Sequence, residues 1–403
     1  MLQFLQTGSS RIVIRRVVLT LALLLSALGC ATAIQGQRLP DMALVARPAD
    51  FEVPAGVAVL HYYGAGGWGI RWGQTYILAA PYFTNHSIAR LAASKATSMV
   101  SITPDVAEVR TGFAGTPVQL TQAILIGHGH IDHAGDVPAY FADGLIAGKP
   151  TLVADRSTVN LLAALAPRFG CIAAIDYDNE TALSARCPVP NVRITPIHHA
   201  HAPHVQVAGV DVAAYGGFVQ EPQPALPTTA AEYKVGNTWA FLIDLLDDKG
   251  TIALRIHYVD AASSPPHGLA NSRIARERDV DVHIACVPGY ELSEGYPDAL
   301  LRHHRARFVL AGHWEDFFQP RSEPLKPLTQ VLDAARIERF LQIVDTVVKP
   351  TPGAGPINKQ AQDCAPPQRC GPRSASWALP IPGETFHFVG GVGLPVASTP
   401  AVR

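Results

Sequence analysis

Four residues with metal-binding chemistry crowd into six positions: His128, His130, Asp132 and His133, within ILIGHGHIDHAGDVP over residues 124–138. Imidazole and carboxylate are the donors that borderline divalent ions such as zinc prefer. The apolar residues just before them read as a buried strand. Alternation in an extended chain end sends His128 and His130 the same way. Asp132 and His133 then fall where a turn opens a helix, displaced enough to serve a second ion beside the first. A histidine-rich polar loop is the plain alternative, and the H-x-H-x-D-H spacing after a strand disfavours it.

This pattern resembles the signature of the metallo-β-lactamase fold superfamily, a group of mostly dinuclear hydrolases. The resemblance implies a four-layer αββα sandwich of the α/β class. It also implies three further ligands from the ends of later strands: a histidine, a bridging aspartate and a last histidine. Candidates occur in that order. ITPIHHAHAPH over 194–204 offers His201, which Ala202, Pro203 and His204 follow as in many relatives, with His199 as the alternate. Asp260 ends the β-branched run TIALRIHYVD before a turn-prone AASSPP, and His313 follows the apolar strand of RFVLAGHWEDFF. The pleat sends His257, three residues before Asp260, to the opposite face as a packed or surface histidine. His303 and His304, set among arginines, are expected in solvent.

Two divalent ions are the implied cofactors, zinc first, with iron or manganese as alternatives. One would sit on His128, His130 and His201, the other on Asp132, His133 and His313, with Asp260 between them. A hydroxide shared by two such ions is a nucleophile near neutral pH, and the ions stabilise the charge that develops in the transition state. No serine or cysteine nucleophile is needed. Asp132 would also orient the hydroxide, and His204 or His267 is a candidate leaving-group acid. The expected reaction is hydrolysis of an ester-type bond in a small molecule: a lactone, a carboxylic ester or a phosphodiester. The resemblance lies nearer to lactonase- and phosphodiesterase-like members than to true β-lactamases. Two alternatives are an iron-dependent redox member of the same fold and a non-catalytic metal-binding lipoprotein.

The elements that must position these groups are spread over 403 residues, 48% of them hydrophobic. That length suits one sandwich with extensions. Charge is nearly balanced at −1, and no basic patch interleaved with aromatics suggests a nucleic-acid partner. Residues 1–29 read as an export signal, with Arg11, Arg15 and Arg16 before the apolar VVLTLALLLSALG, too short for a convincing membrane span. Losing those three arginines moves the charge from −1 to −4 (−1 minus 3). Cys30 offers a lipidation site that would attach the chain to a membrane, and Ala31-Thr32-Ala33 an ordinary cleavage site. A periplasmic location is expected, and the oligomeric state is left open. The spacings Cys171–Cys187 and Cys364–Cys370 suit local disulfides of an oxidising compartment, and Cys286 a buried thiol.

Residues 30–50 read as a linker, 51–348 as the hydrolase domain and 349–403 as a Pro/Gly-rich extension. VAVLHYYG and TYILAAP are expected as opening strands, joined by the glycine cluster GAGGWGIRWG near the metal mouth. Ala80 stands where relatives often carry an aspartate; Tyr82, Phe83 and His86 beyond it are candidate substrate contacts. SIARLAASKA, STVNLLAALAPRF and IERFLQIVDTVV are expected helices and PTLVAD a strand. The segment 217–237 is expected to form a flap.

Overall fold

The computed structural model describes residues 53, 55–176, 186–203, 206–207, 210–211, 216–329, 331–350, 354–355 and 371–391. The export segment, Cys30, the linker, His204 and the Cys364–Cys370 pair lie outside the described residues.

Among the described residues, fifteen strands follow one another as β1 (Val57–Gly64), β2 (Gly67–Trp72), β3 (Thr75–Ala79), β4 (Thr121–Leu125), β5 (Thr151–Asp155), β6 (Cys171–Ile175), β7 (Val192–His199), β8 (Gln206–Val207), β9 (Val210–Asp211), β10 (Thr238–Leu246), β11 (Ile252–Tyr258), β12 (Val282–Cys286), β13 (Val309–Gly312), β14 (Trp377–Ala378) and β15 (Thr385–Val389). Seven form one sheet in the order β15-β1-β2-β3-β4-β5-β6 and six form another in the order β14-β13-β12-β11-β10-β7. Pairing is antiparallel from β15 to β3 and parallel from β3 to β6. In the second sheet β7, β10 and β11 are antiparallel neighbours, and β11 to β14 run parallel.

Period-two alternation explains how the sheets stack. Leu60, Ile70, Ile77, Leu125 and Val153 of the first sheet meet Phe241, Ile243, Ile256, Ile284 and Leu310 of the second in a shared core. Their strand neighbours Leu78, Ile124 and Leu152 point the other way and pack under α2 (Val106–Phe113), which follows α1 (Ile88–Ala96) in the chain. On the far side Leu242, Ala285 and Ala311 are covered by three helices. These are α5 (Ser272–Glu277), α6 (Asp298–His303) and α7 (Ala334–Val347), numbered after α3 (Ile131–Ala134) and α4 (Arg156–Leu161). Both faces of each sheet are therefore buried, which is why the strands read as apolar runs. The result is the four-layer αββα sandwich.

Two expectations about these elements change here. The tail beyond residue 348 is no mere extension: its β14 and β15 are the edge strands of the two sheets, and Phe386 and Phe388 are buried between them. Alternation over only five residues is a weak signal next to so much proline and glycine. The helix expected from 157 stops at Leu161 and continues as a 3-10 turn over Ala163–Arg168. Cys171 and Cys187 do form a disulfide, and Cys286 is a buried free thiol.

His257 and His304 are both buried, and His303 is half-buried, so neither member of the second pair lies in solvent. His303 and His304 hydrogen-bond the carbonyls of Ala270 and Gly268, which draws them in from the surface. The His257 ring lies tilted against that of His304, with centroids 4.2 Å apart, and meets His283 Nδ1 to Nδ1 at 3.1 Å. Burial, helped by the neighbouring imidazoles, lowers the pKa of His283 to about 3, of His304 to about 4 and of His257 well below the usual range. All three are neutral in the fold at physiological pH. Unfolded, they would take protons below pH about 6.5. Their contribution is thus intact above that value and is lost as pH falls toward 4, by up to about 1.4 kcal/mol per pH unit for each histidine. Urea midpoints of the chelated protein should fall as the buffer is acidified, less steeply in His304→Gln. Equal slopes in the two proteins would remove this account.

Candidate metal centre

The seven expected donors all lie just beyond strand ends on one edge of the sandwich. His128 and His130 follow β4, and α3 begins at once with His130 in its N-cap position, bringing Asp132 and His133 round beneath them. His201 lies two residues past β7, Asp260 two past β11, and His313 directly after β13. Backbone bonds tie the two sheets together at this edge. Trp239 N–H donates to Gly127 O at 2.8 Å and Gly129 N–H to Val235 O at 3.0 Å.

Donor atoms gather into three overlapping groups, each with all atoms within 4.8 Å of one another: His128, His130 and His201; His128, His133 and Asp260; Asp132, His133 and His313. Asp260 joins the other two. Its Oδ1 is 3.2 Å from His128 Nδ1 and its Oδ2 3.7 Å from His133 Nδ1. Asp132 Oδ2 lies 3.4 Å from the Nε2 atoms of both His133 and His313. His199, the alternate to His201, is elsewhere. Its Nε2 lies 2.8 Å from Ala261 O and its Nδ1 3.1 Å from Ser263 Oγ. His267 also stays outside the groups, with its ring 5.1 Å from that of His198.

The buried polar atoms test whether ions would fit. His128 Nε2, both ring nitrogens of His133, His313 Nδ1 and Asp260 Oδ2 are buried and hydrogen-bond to no described residue. Such atoms are rare in folded proteins because desolvating them without a partner is costly. A cation among them removes that cost, and nitrogen and carboxylate donors suit a borderline divalent ion. Electrostatics agree. Burial, with the nearby His133 and His201, holds His128 well below the usual imidazole range, leaving lone pairs free. Asp132 is half-buried, and its desolvation favours the neutral form, yet His133 and His313 outweigh this and hold it ionised.

Three supporting residues escaped the sequence reading. Asp136 is buried and accepts hydrogen bonds from the backbone N–H groups of Phe83 and Thr84 and from the Thr84 hydroxyl, fastening the loop after β3 to the metal motif. Burial pushes its pKa up to about 6. It stands four residues after Asp132, one helical turn on, which was its available signal. Tyr62 and Glu315 meet behind His313: the tyrosine hydroxyl lies 2.6 Å from Glu315 Oε2 and accepts the His313 N–H at 2.8 Å. His313 has φ +63°, a left-handed conformation that costs a non-glycine residue about 1–2 kcal/mol. Gly66, also left-handed, lies so close that an added Cβ would meet the His313 ring at 2.9 Å.

Other expectations shift. Phe83 is fully buried in an edge-to-face cluster with Tyr63 and Phe113, which removes it as a substrate contact. Tyr82 lines a cleft beside His313 with Asn85, Phe317, Arg321 and Leu325. The segment 217–237 is a tethered wall, not a free flap. Val219 N–H donates to Ser157 Oγ, Asn160 bonds the carbonyls of Val219 and Gln220, and Asn237 N–H donates to Asp155 Oδ2.

A scan against protein-family models and a search of the curated proteins find no match. Solved structures resemble the chain at low identity. Igni18, a metallo hydrolase from Ignicoccus hospitalis, is 13% identical at a TM-score of 0.44, over 82% of this chain and 98% of its own. The metallo-β-lactamase fold protein YhfI from Bacillus subtilis is 13% identical at 0.42, with the same coverage. CmlA, a diiron β-hydroxylase from Streptomyces venezuelae, is 14% identical at 0.42, over 73% of this chain and 51% of its own. The chain's own layers, two sheets with helices on their outer faces, are those that the sequence resemblance implies.

Gly127 leaves room for the joining carboxylate, since an added Cβ would lie 2.3 Å from Asp260 Oδ2. Gly127→Ala should displace Asp260 and lower the metal retained after dialysis. Gly148→Ala, whose Cβ meets nothing within 4 Å, should retain the wild-type amount. Equal metal in the two would show that Asp260 does not depend on this space.

Proposed function

We propose that the chain is a dinuclear metallo-hydrolase that cleaves an ester-type bond in a small molecule. One observation carries the reading: two three-residue donor groups share an edge, and Asp260 lies within reach of a histidine from each. His128, His130 and His201 would hold one ion and Asp132, His133 and His313 the other, with Asp260 between them. When bound, the ions would supply a water-derived nucleophile near neutral pH and a Lewis acid for the substrate's carbonyl or phosphoryl oxygen.

The chain's own groups then have definite tasks. Asp132, held ionised by His133 and His313, is the carboxylate placed to accept a hydrogen bond from the nucleophilic water or hydroxide and so to orient it. The neighbouring cleft, with an apolar side at Phe317 and Leu325 and polar groups at Asn85 and Arg321, would seat the substrate. Leaving-group protonation is not assigned to His267, whose ring faces His198. The proposal includes export, supported by the apolar run after Arg15 and Arg16 and by the Cys171–Cys187 disulfide.

Elemental analysis of purified protein, paired with lactone, carboxylic ester, phosphomonoester, phosphodiester and β-lactam substrates, tests this directly. Two zinc or manganese equivalents and turnover of one ester class are expected. His130→Ala and Asp260→Ala should reduce that turnover to the level of chelated protein. Iron with oxygen-dependent turnover would replace hydrolysis by redox chemistry.

A further inference from the structure

Within the metallo-hydrolase reading, on which this inference rests, we propose that Tyr62 and Glu315 are positioning residues for the second donor group, acting through the backbone of His313. The usual way to aim a histidine ligand is a hydrogen bond to its other ring nitrogen. His313 lacks that device: its Nε2 faces Asp132 and its Nδ1 bonds to no described residue. Its ring must therefore be aimed from the main chain and by packing.

Both routes pass through one buried carboxylate. Glu315 is 4% exposed, sits two residues after His313 and receives the Tyr62 hydroxyl at 2.6 Å. The same hydroxyl accepts the His313 N–H, so the tyrosine fixes the left-handed turn at its first atom. The ring of Tyr62 also fills the space beside the preceding residue, where a Cβ added to Gly312 would meet Tyr62 Cε2 at 3.3 Å. Glu315 Oε1 accepts the Ala65 N–H at 2.5 Å, holding the glycine turn between β1 and β2. That turn carries Gly66, which lies against the imidazoles of both His313 and His133. Tyr258 fastens it from the other side by donating to Gly66 O at 3.1 Å. Glu315 thus secures the peptide that bears the ring and the peptide that lies against it. Neither Tyr62 nor Glu315 belongs to any of the donor groups.

Tyr62→Phe deletes one hydroxyl and keeps the ring, and Glu315→Gln keeps the shape and removes the charge. The test uses the full chain, with zinc binding followed by competition with a chromophoric chelator and with the visible spectrum of the cobalt-loaded protein. Expected for both variants are a wild-type far-ultraviolet dichroism, an unchanged first equivalent, and a second equivalent bound about 10- to 100-fold more weakly. The cobalt bands that fill with the second equivalent should change in shape as well as titration, which a general loss of stability would not produce. His313→Ala, losing the second equivalent outright, marks the limit. A folded Tyr62→Phe with a wild-type second equivalent and spectrum would overturn the inference, whatever Glu315→Gln does. Wild-type protein that bound no second ion would instead overturn the dinuclear reading beneath it.

Discussion

Seven titratable side chains, five of them buried and Asp132 and His201 half-buried, crowd within a few ångströms of their neighbours and form the constraint on which the rest depends. Five imidazoles and two carboxylates cannot be packed like apolar groups, because each buried donor or acceptor without a partner raises the free energy of the fold. The chain meets this partly through pairing, as with Asp132 between His133 and His313, and partly by leaving atoms such as His128 Nε2 and His133 Nδ1 for an ion. The sandwich supplies the rigidity this needs. The donors issue from strand ends and from the short α3 that follows β4, and backbone hydrogen bonds accepted by Gly127 from Trp239 and donated by Gly129 to Val235 tie this edge together.

Glycine is the residue through which close approach is achieved. Gly127 admits Asp260 and Gly66 admits the His313 ring, and at both positions a single methyl group would intrude on a donor. Such positions tie the β1–β2 turn, the β4 loop and the end of β11 into one object. Displacement of any one of them moves a donor of another.

The donors themselves were legible because their chemistry and spacing are local: H-x-H-x-D-H after an apolar run, then single candidates after later strands. The choice between His199 and His201 was open in the sequence, and the structure brings His201, not His199, to the other candidate donors. His199 points at Ala261 and Ser263, His201 at the rings of His128 and His130. Groups that act across long separations were not legible. Tyr62 and Glu315 are 253 residues apart, and nothing in either segment announces the contact. Burial of His304 was equally hidden, since arginines beside it suggested solvent while a carbonyl of a distant turn draws it inward.

The last strand has a consequence for how the molecule comes into being. β15 pairs along β1, and Tyr62 exchanges backbone bonds with its approach: Tyr62 N–H donates to Glu384 O and Gly383 N–H to Tyr62 O. The first strand of the sandwich is therefore clasped by the strand nearest the other end of the described chain. During synthesis the tyrosine emerges early but stays without this clasp until the closing segment arrives. Assembly of the edge that bears the candidate donors is thus a late event in the life of the chain, sealed by residues that contribute no donor to it.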